Sequence, residues 1–189
     1  MNMDIEIPEL EYHPLTLHDN VLPFVDAAVL HLTQTGSFQA GQPLVFITES
    51  ALRTMETHTR SNTGRELGGL LAGNFCMHGD VPFTWLQVAL PAERAAGNRG
   101  SLCFTIEAIE EIDRQREALY PHLRQVGWYH SHPGLGVFMS GTDLHTHRTV
   151  FNDGPFVAFV LDPVGRANGM FAWMKNSVAG PLAYWIATS

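Results

Sequence analysis

The stretch Gly127-Trp128-Tyr129-His130-Ser131-His132-Pro133, followed after Gly134 to Met139 by Ser140-Gly141-Thr142-Asp143, decides how this chain is read. Gln125 to Tyr129 has the pattern of a strand that ends at His130. Residues two apart at a strand end point the same way, so His130 and His132 can aim both imidazoles into one pocket. Ser140 to about Phe151 reads as a helix, and Asp143 lies one turn into it. Its carboxylate would complete a His₂Asp set with an open fourth position. Three N/O ligands plus water is the arrangement of hydrolytic zinc, where the metal lowers the pKa of water towards ~7. Each piece alone has a plainer reading. Most His-x-His pairs are surface or core histidines, and Ser140-x-x-Asp143 fits a helix capping box. It is the combination that points to a metal.

Outward from this stretch, strand and helix patterns alternate. Leu44 to Thr48 is a short apolar strand, and Thr48 or Ser50 can cap a helix running to about Thr59. Glu66 to Met77 is a Gly-rich apolar strand, with Phe83 to Leu90 as its antiparallel partner across the His78-Gly79-Asp80 turn. Pro91 to Gly100 reads as a polar loop and Leu102 to Thr105 as a strand. Thr105 can then cap a helix carrying Ile106, Ile109, Ile112 and Leu119 on one stripe. Phe156 to Leu161, Met170 to Met174 and Leu182 to Ile186 are three closing strands, with turns at Asp162-Pro163 and Ala179-Gly180-Pro181. Upstream, Pro8, Pro14 and Pro23 set residues 1–42 apart as an N-terminal extension. It is expected to hold a helix over 18–33 (Val21, Val25, Ala28, Val29, Leu32) and a linker from Gly36 to Gln42. The main domain is then 43–189. An α/β fold follows, with a mixed, largely antiparallel sheet flanked by helices.

Composition narrows the functional classes. The chain has 189 residues, 45% of them hydrophobic and 16% charged, which suits one domain with a sizeable core. A domain this long buries roughly 70% of its unfolded surface and needs no metal merely to stay folded. A metal here is therefore expected to be catalytic. The formal charge of −8 argues against a nucleic-acid partner, whose phosphates require clustered Lys and Arg. Cys76 and Cys103 sit in apolar surroundings and form no CxxC pair, so both read as buried thiols. The acidic N-terminus lacks a signal-peptide layout, and no apolar run approaches the ~20 residues of a membrane helix. A soluble cytoplasmic protein with no membrane partner is expected.

His130-x-His132-Pro133, six further residues and Ser140-x-x-Asp143, with Glu66 at the head of a Gly-rich strand, resembles the JAMM/MPN+ (JAB-domain) zinc metalloproteases. That family's pattern is Glu, then His-x-His-x7-Ser-x2-Asp, and every position and spacing is met. The resemblance covers about residues 43–175 and looks most like the prokaryotic, deubiquitinase-like branch. It implies a JAB/MPN-type fold and one catalytic Zn²⁺ held by His130, His132 and Asp143, with a water as fourth ligand. Glu66 would act as general base and then acid, and Ser140 would help stabilise the oxyanion. A Glu beside an apolar strand is costly unless it faces a polar site, which agrees with that role.

The same resemblance implies an isopeptidase or protease cutting after the C-terminus of a ubiquitin or ubiquitin-like protein, in deconjugation or precursor processing. E1- and E2-like enzymes would be pathway partners. Pro91 to Gly100 and the helix at 106–119 would dock the substrate body while its tail pairs beside the Glu66 strand. The alternatives are trimming of a sulfur-carrier protein and a non-catalytic MPN scaffold; scaffold members are marked by loss of the Glu, His or Asp, all present here. Asp143-Leu-His145-Thr-His147 also resembles the endosome-associated branch, where the first of these His helps bind a second zinc. No Cys or His follows His147 in this chain, so one zinc is expected. His145 then reads as a neighbour of the site or a helix-packing residue, and His147 has no assigned role.

Overall fold

β-Branched and aromatic residues in short alternating runs build most of the molecule. The computed structural model describes residues 18–19, 31–93, 95–98, 101–151 and 154–188. The strands are β1 (His18–Asp19), β2 (His31–Thr35), β3 (Leu44–Thr48), β4 (Gly68–His78), β5 (Val81–Pro91), β6 (Ala96–Asn98), β7 (Ser101–Cys103), β8 (Arg124–Ser131), β9 (Val157–Asp162), β10 (Ala167–Met174), β11 (Ser177–Leu182) and β12 (Tyr184–Thr188). The helices are α1 (Glu49–Arg60), α2 (Ile106–Leu119) and α3 (Gly141–Val150). Among the described residues one sheet runs β11-β10-β9-β8-β4-β5-β3-β12-β2, with β1 beside β4, and β6 and β7 form a separate hairpin. The pairs β4–β5, β4–β8, β9–β10, β10–β11 and β2–β12 are antiparallel; β3–β5, β3–β12, β8–β9 and β1–β4 are parallel. The expected mixed, largely antiparallel sheet is what forms.

Alternation divides the core between the two sheet faces. Along β9, Val157, Phe159 and Leu161 pack with Ala51, Leu52 and Met55 of α1. Ala158 and Val160 pack on the other face with Trp128, Ile112 of α2 and Phe151 at the end of α3. Burying a side chain such as Met55 contributes about 1.5–3 kcal/mol, so each helix is held by its apolar face. Both helix starts follow the capping expectation: the Thr48 and Thr105 hydroxyls accept from the N–H groups of Ala51 and Ala108. On β8 the same alternation sends Tyr129 towards α1, and Trp128 and His130 towards α3.

Gly68 and Gly69 permit close packing at the head of β4. A Cβ on Gly68 would collide with the Leu102 side chain and the Tyr129 carbonyl, and one on Gly69 with the Leu90 carbonyl and the Tyr129 ring. Without those atoms β8 and the β6–β7 hairpin close onto the head of β4, two residues from Glu66.

Three expectations change. Of the helix expected over 18–33, the described residues 18–19 and 31–33 are strand, and the remainder lies outside the described residues. Thr33 and Thr35 favour extended backbone, Leu32 packs against the cluster of Phe46, Cys76 and Phe83, and β12 supplies the ladder. Ala179-Gly180-Pro181 is not a turn but part of β11; the chain reverses earlier, at Lys175-Asn176, where Lys175 takes a positive φ of 57°. Within the expected 91–100 loop, Ala96–Asn98 pairs with Ser101–Cys103 as a hairpin.

Candidate metal centre

β8 carries His130 to the end of the sheet, and the chain continues straight into His132, whose N–H donates to the Leu161 carbonyl at 2.8 Å. Ser131 between them turns away: its hydroxyl accepts from the Leu67 N–H at 3.0 Å and ties the two strand ends together. Ser140 caps α3 in a reciprocal capping box with Asp143, at 3.2 Å and 2.7 Å. The capping box and the candidate ligand are the same residues. The cap fixes the Asp143 carboxylate by one oxygen and leaves it turned towards the imidazoles.

His130 Nε2 and His132 Nε2 lie 3.2 Å and 3.3 Å from Asp143 Oδ2. One potential ligand atom from each of the three residues lies within 4.8 Å of the others, and all three residues are buried. Glu66, 2% exposed, brings Oε1 to 3.8 Å from His132 Nε2. Thus His130, His132, Asp143 and Glu66, separated by up to 77 positions in sequence, converge, with the Ser140 hydroxyl beside Asp143. Burial raises the Glu66 carboxyl above its ordinary range; His132 pulls it back, Asp143 pushes it up again, and the Leu102 N–H pulls it down. Burial also opposes ionisation of Asp143, but His130, His132 and Ser140 hold it well below the carboxylate range. Burial lowers the His130 pKa from its ordinary value, against the pull of Asp143.

This donor set fits a divalent cation of borderline softness. Both nitrogens of His130 and Nδ1 of His132 are buried with no hydrogen-bond partner among the described residues. Buried polar atoms are rarely left so, and a cation among two imidazoles and an ionised carboxylate would satisfy the atoms that face it.

Two nearby residues went unread in the sequence. Asp162, expected only as a turn residue, accepts from four backbone N–H groups: Gly134, Gly136, Val164 and Gly165, at 2.8–3.1 Å. Together they pin the loop after His132 to the β9–β10 turn. His147, unassigned in the sequence, is fully buried and accepts the Trp128 indole N–H at Nδ1, 3.0 Å away. His145 is exposed on α3, where it lines a groove of about 360 Å³ with Leu102, Phe104, Ile109 and Val150. Among the described residues no second group of metal-ligating side chains forms. None of the described helices is long and apolar enough to cross a membrane.

A buried group of two histidines and one aspartate that could hold a metal ion, with Glu66 beside it, sits at the end of a mixed sheet. Residues 48–176 match the family of prokaryotic homologs of the JAB domain. The chain therefore belongs to the JAB/MPN+ family. It is 30% identical over 155 residues to COP9 signalosome complex subunit 5b of Arabidopsis thaliana, covering 79% of this chain and 42% of that one. A shorter match, 45% identical over 67 residues, covers 35% of this chain and 20% of the NAD(+) hydrolase TcpA of a Theionarchaea archaeon. The chain thus spans less than half the length of either relative. The solution structure of protein DSY2949 from Desulfitobacterium hafniense shares the fold, with a TM-score of 0.55 at 19% identity over 72% of this chain and 88% of that one.

Proposed function

We propose that this protein is a zinc-dependent isopeptidase or protease that hydrolyses the bond following the C-terminus of a ubiquitin or ubiquitin-like protein. The observation that carries the reading is the convergence of buried His130, His132 and Asp143 on one point, with the Glu66 carboxylate at its edge. Family membership supports the metalloprotease class. His130, His132 and Asp143 would hold one zinc, which when bound supplies Lewis acidity at the scissile carbonyl. Glu66 takes a proton from the attacking water as its oxygen adds to the carbonyl carbon, then delivers that proton to the departing amine. The C–N bond breaks, leaving a carboxylate and a free amine. Burial raises the basicity of Glu66 above that of an ordinary carboxylate, which suits it to accept a proton. The Ser140 hydroxyl donates to the carbonyl oxygen as negative charge develops there. The β6–β7 hairpin and α2 dock the substrate body, next to the groove lined by Leu102 and Phe104. The tail would pair beside the head of β4, where a glycine-rich segment has no side chains to clash. E1- and E2-like enzymes of a ubiquitin-like pathway would supply the conjugate, and the cytoplasm is the proposed place of action. With Glu66, both histidines and Asp143 all present and convergent, the scaffold alternative has no observation in its favour.

Metal analysis of the purified protein tests the core of this reading. About one zinc per chain, removed by a chelator together with any peptidase activity, is expected. Activity that resists chelation, or binding of two zinc ions, contradicts it.

A further inference from the structure

Ligand histidines are usually oriented by a hydrogen bond from the second ring nitrogen to a carboxylate, carbonyl or water. At His130 no protein carboxylate or carbonyl among the described residues fills that place. Its Nδ1 is buried and has no such partner among the described residues. Two rings touch its imidazole: His132, edge-on at 4.8 Å, and Trp128, two residues back on the same face of β8, stacked flat at 4.6 Å between centroids and 13° between planes. Trp128 is itself clamped: Phe104 meets it edge-on at 5.8 Å and Phe151 stacks at 5.9 Å and 5°. Rings clamped by faces can still slide and turn in their own plane. Rotation of the indole is stopped by one directional contact, the donation from Nε1–H to His147 Nδ1 at 3.0 Å.

The identity of residue 147 bears this out. An indole N–H only donates, so His147 Nδ1 must carry its lone pair and the ring proton must sit on Nε2. That Nε2 is buried with no partner among the described residues. Its ring lies among Trp128, Phe151 and Trp173, 5.7–6.5 Å away and tilted 24–30°. A position needed only for filling would be better served by Phe, which leaves no polar atom unpaired. Histidine here leaves one nitrogen unsatisfied and in exchange fixes the indole N–H.

We infer that His147 is a positioning residue for the metal site, holding Trp128 by its indole N–H so that the Trp128 ring sets the plane and direction of His130. The inference rests on the proposed zinc site and adds to it a packed His147–Trp128–His130 relay in place of the usual hydrogen bond.

The test measures zinc affinity by competition with a chromophoric chelator, together with the visible spectrum of the cobalt-substituted protein. His147→Phe keeps the ring but loses the acceptor. It should weaken zinc binding about tenfold to a hundredfold, the range for partners that orient metal ligands, and shift the cobalt bands. His147→Asn restores an acceptor near Nδ1 and should recover most of that loss, a rescue that simple packing would not produce. In a Trp128→Phe background, His147→Phe should add less than twofold, because the contact it removes is already gone. Should His147→Phe not fold, His147→Leu provides the same comparison. Zinc affinity within twofold of wild type with an unchanged cobalt spectrum overturns the inference, as do losses that multiply in the double variant. Asp143→Ala, measured alongside, separates the two layers. Zinc lost there but kept in His147→Phe overturns the relay alone; zinc kept in both overturns the metal site and the relay together.

Discussion

Asp143 and Asp162 are both buried, both flank the loop that follows His132, and both have their carboxyls lowered from the ordinary value, yet they are held differently. Burial opposes ionisation of each. Asp162 overcomes it with four backbone N–H groups, three on Oδ1 and one on Oδ2. Asp143 has one backbone N–H on Oδ2, and that same oxygen faces two imidazoles, of which His130 has no hydrogen-bond partner at either nitrogen. A lowered pKa is thus common to a structural acid and to the proposed metal ligand. Whether the surrounding polar groups are satisfied is what separates them.

The largest expected effect breaks the comparison from the Asp143 side. Asp143→Ala should reduce zinc to well below one per chain and abolish hydrolysis, while the fold survives because the core does not depend on it. Zinc content of the purified variant checks this. Next comes Glu66→Gln, which should retain zinc and lower kcat by about 10²–10⁴-fold, because only the proton transfer is removed. Equal turnover in Glu66→Gln would show that Glu66 is misassigned.

Asp162→Asn sharpens the comparison from the other side. It should cost about 1–3 kcal/mol of stability, read in urea unfolding, with zinc stoichiometry unchanged. The sign of its pH dependence follows from the depressed carboxyl. An acid whose folded pKa lies below its unfolded one stabilises above the unfolded pKa, about 3.9, and loses that contribution as pH falls through the folded value. The stability gap between wild type and Asp162→Asn should therefore be full at neutral pH and shrink progressively below pH ~4. A gap that grows on acidification contradicts the four-donor account. The smallest effect lies across the sheet. Tyr129→Phe removes a 2.8 Å hydrogen bond to His58 on α1 and should cost about 0.5–1.5 kcal/mol without changing zinc affinity, since Tyr129 points away from His130.

These contrasts also explain what could be read from sequence. The convergence of the candidate ligands was legible because His-x-His at a strand end and Ser-x-x-Asp at a helix start place those side chains by local geometry. Glu66 required more, since nothing local ties it to residues 64 or more positions away; the family pattern supplied the link. Asp162 and His147 were not legible. Asp162 draws its four N–H donors from two loops that meet only in the folded chain. His147 acquires a partner when α3 packs across β8, a contact without sequence spacing. The same limit applies to β2 and β11. Leu32 satisfies a helical stripe as well as a strand, and Gly180-Pro181 carries a turn signature, but β12 and β10 offer the ladders that decide both.

The central claim is that Glu66, His130, His132 and Asp143 form one hydrolytic centre acting on a ubiquitin-like C-terminus. Mass spectrometry of a ubiquitin-fold protein extended by a C-terminal peptide, after incubation with the zinc-loaded protein, tests it most directly. The account predicts a single cut after the ubiquitin-fold C-terminus, lost on chelation and lost in zinc-loaded Glu66→Gln. Cleavage that persists in either, or cuts scattered through the peptide, would contradict it.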